Sequence, residues 1–170
     1  MTELLSRRRL IILMAGGTAA AVAACSASPG PPAADKEGGA GARTSDVRAM
    51  HVYRDPECGC CEAWAQIARE AGYEVTVESR ADMPAIKARY GVPEELRSCH
   101  TAVVGGYAIE GHVPLKSVAR LLAEKPRDIR GIAVPGMPRG SPGMEMPDGS
   151  VDAYTVMAFG AAGRISTFDA

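Results

Sequence analysis

Three cysteines fall within four residues at Cys58-Gly59-Cys60-Cys61, and this cluster limits what the chain can fold into more than any other feature. It follows a turn-like Asp55-Pro56-Glu57 and opens a segment of helical character that runs to Ala71. Thiols at the start of a helix are partly exposed and oxidisable, and the positive end of the helix dipole stabilises their thiolate form. We therefore expect the cluster to serve metal binding, thiol redox chemistry, or both.

The first 24 residues have the composition of an export signal. Arg7-Arg8-Arg9 precedes fifteen apolar and small residues, fewer than the ~20 that span a bilayer as a helix. The run ends in Val22-Ala23-Ala24-Cys25, which resembles the lipobox of bacterial lipoproteins, whose cysteine is lipidated, and the arginines also resemble a twin-arginine signal. We expect a signal peptide over residues 1–24 and a membrane anchor on Cys25, in the periplasm or cell envelope. A plain secretory peptide with an incidental cysteine is the alternative.

Composition separates a linker from a folded domain and excludes one class of partner. Residues 25–48 hold the lipidated cysteine followed by an Ala-, Gly- and Pro-rich stretch that buries too little surface to offset its ordering entropy. We expect a flexible tether there and a domain over residues 49–170.

The net charge is -1, with two Phe and one Trp and no basic cluster beyond the first ten residues, so we expect no nucleic-acid partner.

Hydrophobic periodicity predicts the element order β-α-β-α-β-β-α. The strands are expected at 50–53 and 73–77, the helices at 61–71, after Asp82 and after Pro114, and a hairpin around Gly105-Gly106. A second hairpin is expected near the C-terminus, pairing 152–159 with 164–168. The sequence thus predicts an α/β domain.

Five motifs carry a resemblance to a known family. They are Cys58-Gly59-Cys60-Cys61 with Trp64, Gly91-Val92-Pro93, Ser98-Cys99-His100-Thr101, Gly111-His112-Val113-Pro114 and Pro135-Gly136-Met137-Pro138. In this order they resemble a domain-of-unknown-function family of small periplasmic C-x-C-C metal-binding proteins associated with bacterial copper resistance. The element order, with thiols at the first helix, resembles the thioredoxin fold. The resemblance implies copper binding on a thioredoxin-like core with an added C-terminal loop and β-hairpin.

The hairpin register predicts which residues meet. A two-residue turn at Gly105-Gly106 pairs positions whose numbers sum to 211, which sets Cys99 opposite His112 and His100 opposite Gly111. In thioredoxin-like folds the third strand starts beside the N-terminus of the first helix. The resemblance therefore implies that Cys99, His100 and His112 face the cysteine cluster. Four thiols and two imidazoles favour a soft metal, as several ions or a cluster at least as well as one tetrahedral centre.

A methionine loop and one histidine complete the candidate ligands. Pro135-Gly136-Met137 and Pro142-Gly143-Met144 repeat, and a type II turn at each Pro-Gly would project Met137 and Met144 alike. Thioethers bind Cu(I), but methionines also fill apolar gaps, so both interpretations stay open. His51 lies seven residues before the cluster, and we expect it to be a surface or packing residue at the far end of the sheet.

The sequence supports more than one function. The first hypothesis is an exported protein that binds copper, as Cu(I) or Cu(II), for sequestration, redox handling or resistance, with a copper-export or redox protein as partner. The alternative is a periplasmic thiol–disulfide oxidoreductase that uses Cys58 and Cys61. A structural zinc site, or two structural disulfides, is a third interpretation. No general base or phosphate-binding loop is recognisable, so we expect no metabolic enzyme.

Overall fold

The structure, a computed structural model, describes residues 48–169. The predicted signal peptide, the lipidated Cys25 and nearly all of the predicted linker lie outside these residues, so they stay predictions. Between residues 48 and 169, no helix combines the length and the apolarity needed to cross a bilayer.

The described chain forms a mixed α/β domain around one seven-stranded sheet, in the order β2-β1-β3-β4-β5-β6-β7. Strand β1 is parallel to β2 and β4 is parallel to β5, whereas the other neighbours are antiparallel. The strands are β1 (Ala49–Arg54), β2 (Glu74–Ser79), β3 (His100–Val104), β4 (Tyr107–Glu110), β5 (Ile129–Ala133), β6 (Val156–Gly160) and β7 (Ile165–Asp169). Three α-helices lie in the described range: α1 (Gly59–Glu70), α2 (Met83–Arg89) and α3 (Leu115–Glu124).

The predicted order of elements is confirmed as far as α3, and so is the C-terminal hairpin formed by β6 and β7. Strand β5 was not predicted. It pairs with β4 on one side and β6 on the other, so the C-terminal hairpin extends the central sheet. Whether the fold is of the thioredoxin class stays a prediction.

The larger core cluster holds apolar residues from strands β1, β3, β4, β5 and β6 and from helices α1 and α3. Met50 and Val52 of β1 alternate inward, and Trp64 and Ala68 of α1 lie one helical turn apart. Trp64 is fully buried, and its Nε1 donates a hydrogen bond to the carbonyl of Val113, 2.9 Å away. This bond joins α1 to the segment that follows β4.

The β3–β4 register agrees with the prediction. Thr101 pairs with Glu110, and the amide of Gly111 donates to the carbonyl of His100 at 3.0 Å. Gly105 and Gly106 have φ of +56° and +85°, which two-residue hairpin turns of this twist require and which glycine adopts without strain. The register therefore sets the residues just before β3 against those just after β4.

Gly131 lies where strand β5 packs closely between β4 and β6. A Cβ at this position would overlap the carbonyl oxygen of Ala108 and contact Phe159 Cζ. We expect Gly131→Ala to lower the free energy of unfolding by about 1–3 kcal/mol through overpacking. Urea unfolding followed by the fluorescence of Trp64, the single tryptophan, measures this.

Gly59→Ala is the matched control, because nothing lies within 4 Å of a Cβ there and the residue begins α1. Its stability should equal or exceed that of the wild type. Equal stability of both variants and the wild type would contradict close packing at β5.

Candidate metal site

The three cysteines of the motif lie at the N-terminus of helix α1, one before the helix and two in its first turn. Cys58 is the N-cap residue, with extended backbone angles, and the helix begins at Gly59. Because Cys58 precedes the first turn, its side chain reaches that of Cys60, and their Sγ atoms are 3.5 Å apart. Cys58 and Cys61 are joined by a disulfide, whereas Cys60 carries a free thiol. The structure therefore shows the oxidised form of this motif.

Two overlapping groups of donor atoms surround Cys99. In the first, the Sγ atoms of the four cysteines that the structure describes, at positions 58, 60, 61 and 99, lie within 4.8 Å of one another. In the second, Cys99 Sγ and one ring nitrogen each of His100 and His112 lie within the same limit. The structure thus brings together the six Cys and His residues that the sequence predicted, with Cys99 common to both groups.

His112 is held in one tautomer. Its Nδ1 lies 2.8 Å from the carbonyl oxygen of Pro142, which can only accept a hydrogen bond, so Nδ1 carries the proton. The lone pair of Nε2 then points at Cys99 Sγ, 3.1 Å away. Burial lowers the pKa of His112, only partly offset by the Pro142 bond and by Glu145. An oriented, neutral imidazole is the form that ligates a metal.

His100 is fully buried on the other side of Cys99. Its Nδ1 lies 3.4 Å from Cys99 Sγ, and its Nε2 has no hydrogen-bond partner among the described residues. The ring packs against Trp64, with centroids 4.8 Å apart. Burial, then the nearby His112 and Lys87, lowers the pKa of His100 well below its usual value. This imidazole also stays neutral and offers a lone pair.

The Cys99 thiol is protonated in the metal-free protein. Burial, followed by the neighbouring Cys60, raises its pKa to about 12. A soft cation at this position would supply the compensating charge and displace the proton, so metal binding here releases protons. The site therefore favours a bound cation over a free thiolate.

The loop between β5 and β6 covers the site at both Pro-Gly pairs. Met144 N donates to Ser141 O at 2.8 Å and Gly143 has φ of +82°, which gives the predicted type II turn at Pro142. At the other pair, Ser98 Oγ donates to Gly136 O. Met137 is 55% exposed and Met144 is half-buried. A ligand role for either methionine stays a prediction.

His51 lies outside both donor groups, as expected. It sits on β1, and its Nε2 contacts Glu78 Oε2 of β2 at 2.9 Å. Its side chain is 38% exposed. It therefore serves as a control residue for metal binding.

Sequence reasoning missed a buried ion pair beside the site. Lys87 Nζ lies 2.6 Å from Glu110 Oε1, and Glu110 is fully buried. Lys87 is four residues after Met83 and three before Tyr90, so it shares the inward face of α2. A lysine on the inward face of a helix was the sequence feature that could have predicted a buried partner of opposite charge. The hydrogen bond from His112 to the Pro142 carbonyl could not be predicted in the same way, because every residue type carries a backbone carbonyl.

Comparison with known proteins identifies the family of this chain. A family model described as "Protein of unknown function, DUF411" matches residues 96–144. A solved structure described as copper resistance protein copG, form 1, is 46% identical, with a TM-score of 0.66 over 71% of this chain and 94% of that chain. The chain belongs to this copper-resistance-associated DUF411 family. Form 2 of the same solved protein gives 45% identity with the same coverage and TM-score. No curated protein matches.

The loop between β5 and β6 contacts α1 at Gly143. A Cβ at Gly143 would lie 2.8 Å from the backbone nitrogen of Trp64. We expect Gly143→Ala to move the loop off α1, break the His112–Pro142 bond, and accelerate alkylation of Cys99. The rate is measured by peptide mass spectrometry after timed exposure to a thiol reagent.

Gly149→Ala is the matched control for that variant. Gly149 has φ of +71°, close to the +82° of Gly143, but nothing lies within 4 Å of its Cβ position. Both variants incur the left-handed strain of about 1–2 kcal/mol, so only the contact differs. If Cys99 reacted equally fast in both, the loop would not shield the site.

The buried histidines predict a pH dependence of stability in the metal-free protein. Their pKa values are lowered on folding, so the unfolded chain binds more protons. Their contribution to the free energy of unfolding is complete above about pH 6.5, the pKa of histidine in the unfolded chain. It is lost as the pH falls below that value, by about 1.4 kcal/mol for each unit by which folding lowers the histidine pKa. We expect the free energy of unfolding to drop between about pH 7.5 and 5.5, as urea unfolding measures. His112→Gln should reduce this drop, and an unchanged drop would contradict the burial argument.

Proposed function

We propose that this protein binds copper, principally as Cu(I), through Cys58, Cys60, Cys61, Cys99, His100 and His112. We further propose that it does so in the cell envelope on a thioredoxin-like scaffold, for copper sequestration, redox handling or resistance. The observation that carries the proposal is the His112 tautomer, whose free Nε2 is aimed at Cys99 Sγ beside three further cysteines.

The donor set suits copper chemically. Thiolates favour Cu(I) and zinc, and imidazole suits both metals. Both histidines are neutral, and the His100 Nε2 has no hydrogen-bond partner within residues 48–169, so ligation by either ring breaks no salt bridge there. Zinc is the alternative metal, since three thiolates and one imidazole form a common zinc site. The likeness to a protein described as a copper resistance protein favours copper.

The shared position of Cys99 favours more than one metal ion. Cys99 belongs to the four-sulfur group and to the Cys-His-His group, and a thiolate can bridge two soft ions. Met137 and Met144 lie on the loop that covers both groups, and we propose them as further thioether ligands. Cys99 is then the centre of a polynuclear site.

The disulfide makes the loading capacity depend on thiol state. Cys58 and Cys61 become ligands only after two electrons and two protons convert their S–S bond into two thiols. The oxidised form retains Cys60, Cys99, His100 and His112 as donors. The reduced protein should therefore bind more copper than the oxidised protein.

Anaerobic Cu(I) titration of the full-length protein, with a competing chelator, tests this function. We expect the reduced protein to bind more Cu(I) per chain than the oxidised protein. Cys99→Ser should lower the number of Cu(I) ions bound per chain, and should lower the affinity by at least about tenfold. His51→Asn is the control and should bind as the wild type, because His51 pairs with Glu78. No Cu(I) binding by the reduced wild type, or full binding by Cys99→Ser, would refute the proposal.

A thiol–disulfide oxidoreductase is the second candidate, and the Cys58–Cys61 disulfide favours it. Its test is reduction of a model disulfide by the metal-free dithiol. Rapid turnover that persists in Cys99→Ser and His112→Asn would support this function, since neither residue is part of a two-cysteine cycle.

A further inference from the structure

We propose that Lys87 and Glu110 form a buried positioning device that fixes the backbone leading into Cys99. This inference rests on the proposed copper function, because it assigns these residues a role at the same site. Neither residue belongs to the groups of metal donors.

Glu110 lies at the centre of the device. Its Oε1 accepts hydrogen bonds from Lys87 Nζ and from the backbone amide of Ser98, both at 2.6 Å. Its Oε2 accepts from Thr101 Oγ1 at 2.6 Å, and Lys87 Nζ also donates to Thr101 Oγ1 at 3.2 Å. The carboxylate is thus bonded to residues on both sides of the Cys99-His100 pair.

The ion pair and His100 lie on opposite faces of β3. Successive side chains of a strand alternate, so Thr101 points away from the face on which His100 meets Trp64. Lys87 reaches Thr101 from α2, whereas Trp64 reaches His100 from α1. Glu110 accepts a hydrogen bond from the amide of Ser98, the residue directly before Cys99, so it can position Cys99 through the backbone.

A contribution to the stability of the fold does not by itself explain why this ion pair is buried. Lys87 is 6% exposed and Glu110 is fully buried, so both charges are desolvated. Apolar residues of similar volume often replace a buried ion pair without loss of stability. What apolar residues cannot supply is the acceptor for the Ser98 amide. Ser98 also donates to Gly136 O, so fixing Ser98 holds the covering loop as well.

Two double variants separate positioning from stability. K87M/E110Q removes both charges but keeps an amide oxygen as acceptor for Ser98. K87M/E110L is nearly equal in volume and removes the acceptor. Both avoid the single buried charge that a single substitution would leave unpaired. Urea unfolding of each full-length variant establishes that it is folded.

Cu(I) affinity of the reduced full-length variants, measured by chelator competition, is the first readout. We expect K87M/E110L to lose about tenfold in affinity, the lower end of the range for removing a direct partner of a metal ligand, because Glu110 bonds the residue before the ligand. We expect K87M/E110Q to retain wild-type affinity within about threefold. If a folded K87M/E110L bound Cu(I) as tightly as K87M/E110Q, the positioning role would be refuted.

The alkylation rate of Cys99 in the metal-free protein is the second readout, and it does not depend on copper. We expect faster modification of Cys99 in K87M/E110L than in K87M/E110Q, with Cys60 as the internal reference. Equal Cys99 rates in the two variants would overturn the inference even if copper binding held. Failure of the wild type to bind Cu(I), with unequal Cys99 rates, would overturn the copper function and leave the positioning role standing.

Discussion

The antiparallel register of β3 and β4 is the constraint on which the site depends. Pairing of Thr101 with Glu110 sets the position before β3 against the position after β4, and so brings Cys99 to His112. A shift of one residue would turn every side chain of one strand to the opposite face. The same pairing places Glu110 beside Thr101, so one register positions both the Cys99–His112 contact and the buried ion pair next to it.

Three further contacts complete the pocket around that register. Cys58 precedes the first turn of α1, which lets three cysteines of one short motif converge. Trp64 joins α1 to Val113 and packs on His100. The Pro142 carbonyl fixes the His112 tautomer from the covering loop. The donors are therefore fixed by the sheet, a helix and a loop, which favours a site organised before the metal arrives.

Local patterns in the sequence were sufficient for the order of elements as far as α3 and for the β3–β4 hairpin. Gly105-Gly106 between two apolar runs determined the turn and hence the partner of Cys99, because turn type fixes register. Strand β5 escaped prediction because Ile129–Ala133 is short, contains Gly131 and gains its place only by pairing with β4 and β6. The role of Pro142 escaped because a backbone carbonyl depends on loop conformation. The resemblance to a copper-associated family was confirmed, whereas the ligand role of the methionines stays a prediction.

Copper K-edge X-ray absorption of the reduced, Cu(I)-loaded full-length protein tests whether cysteine and histidine bind the metal together, because it reports the atoms bound to copper. We expect a shell of sulfur together with imidazole nitrogen, and loss of the imidazole outer-shell scattering when His100 and His112 are both replaced by Asn. A shell of sulfur alone in the wild type, or imidazole scattering that persists in the double variant, would contradict this expectation.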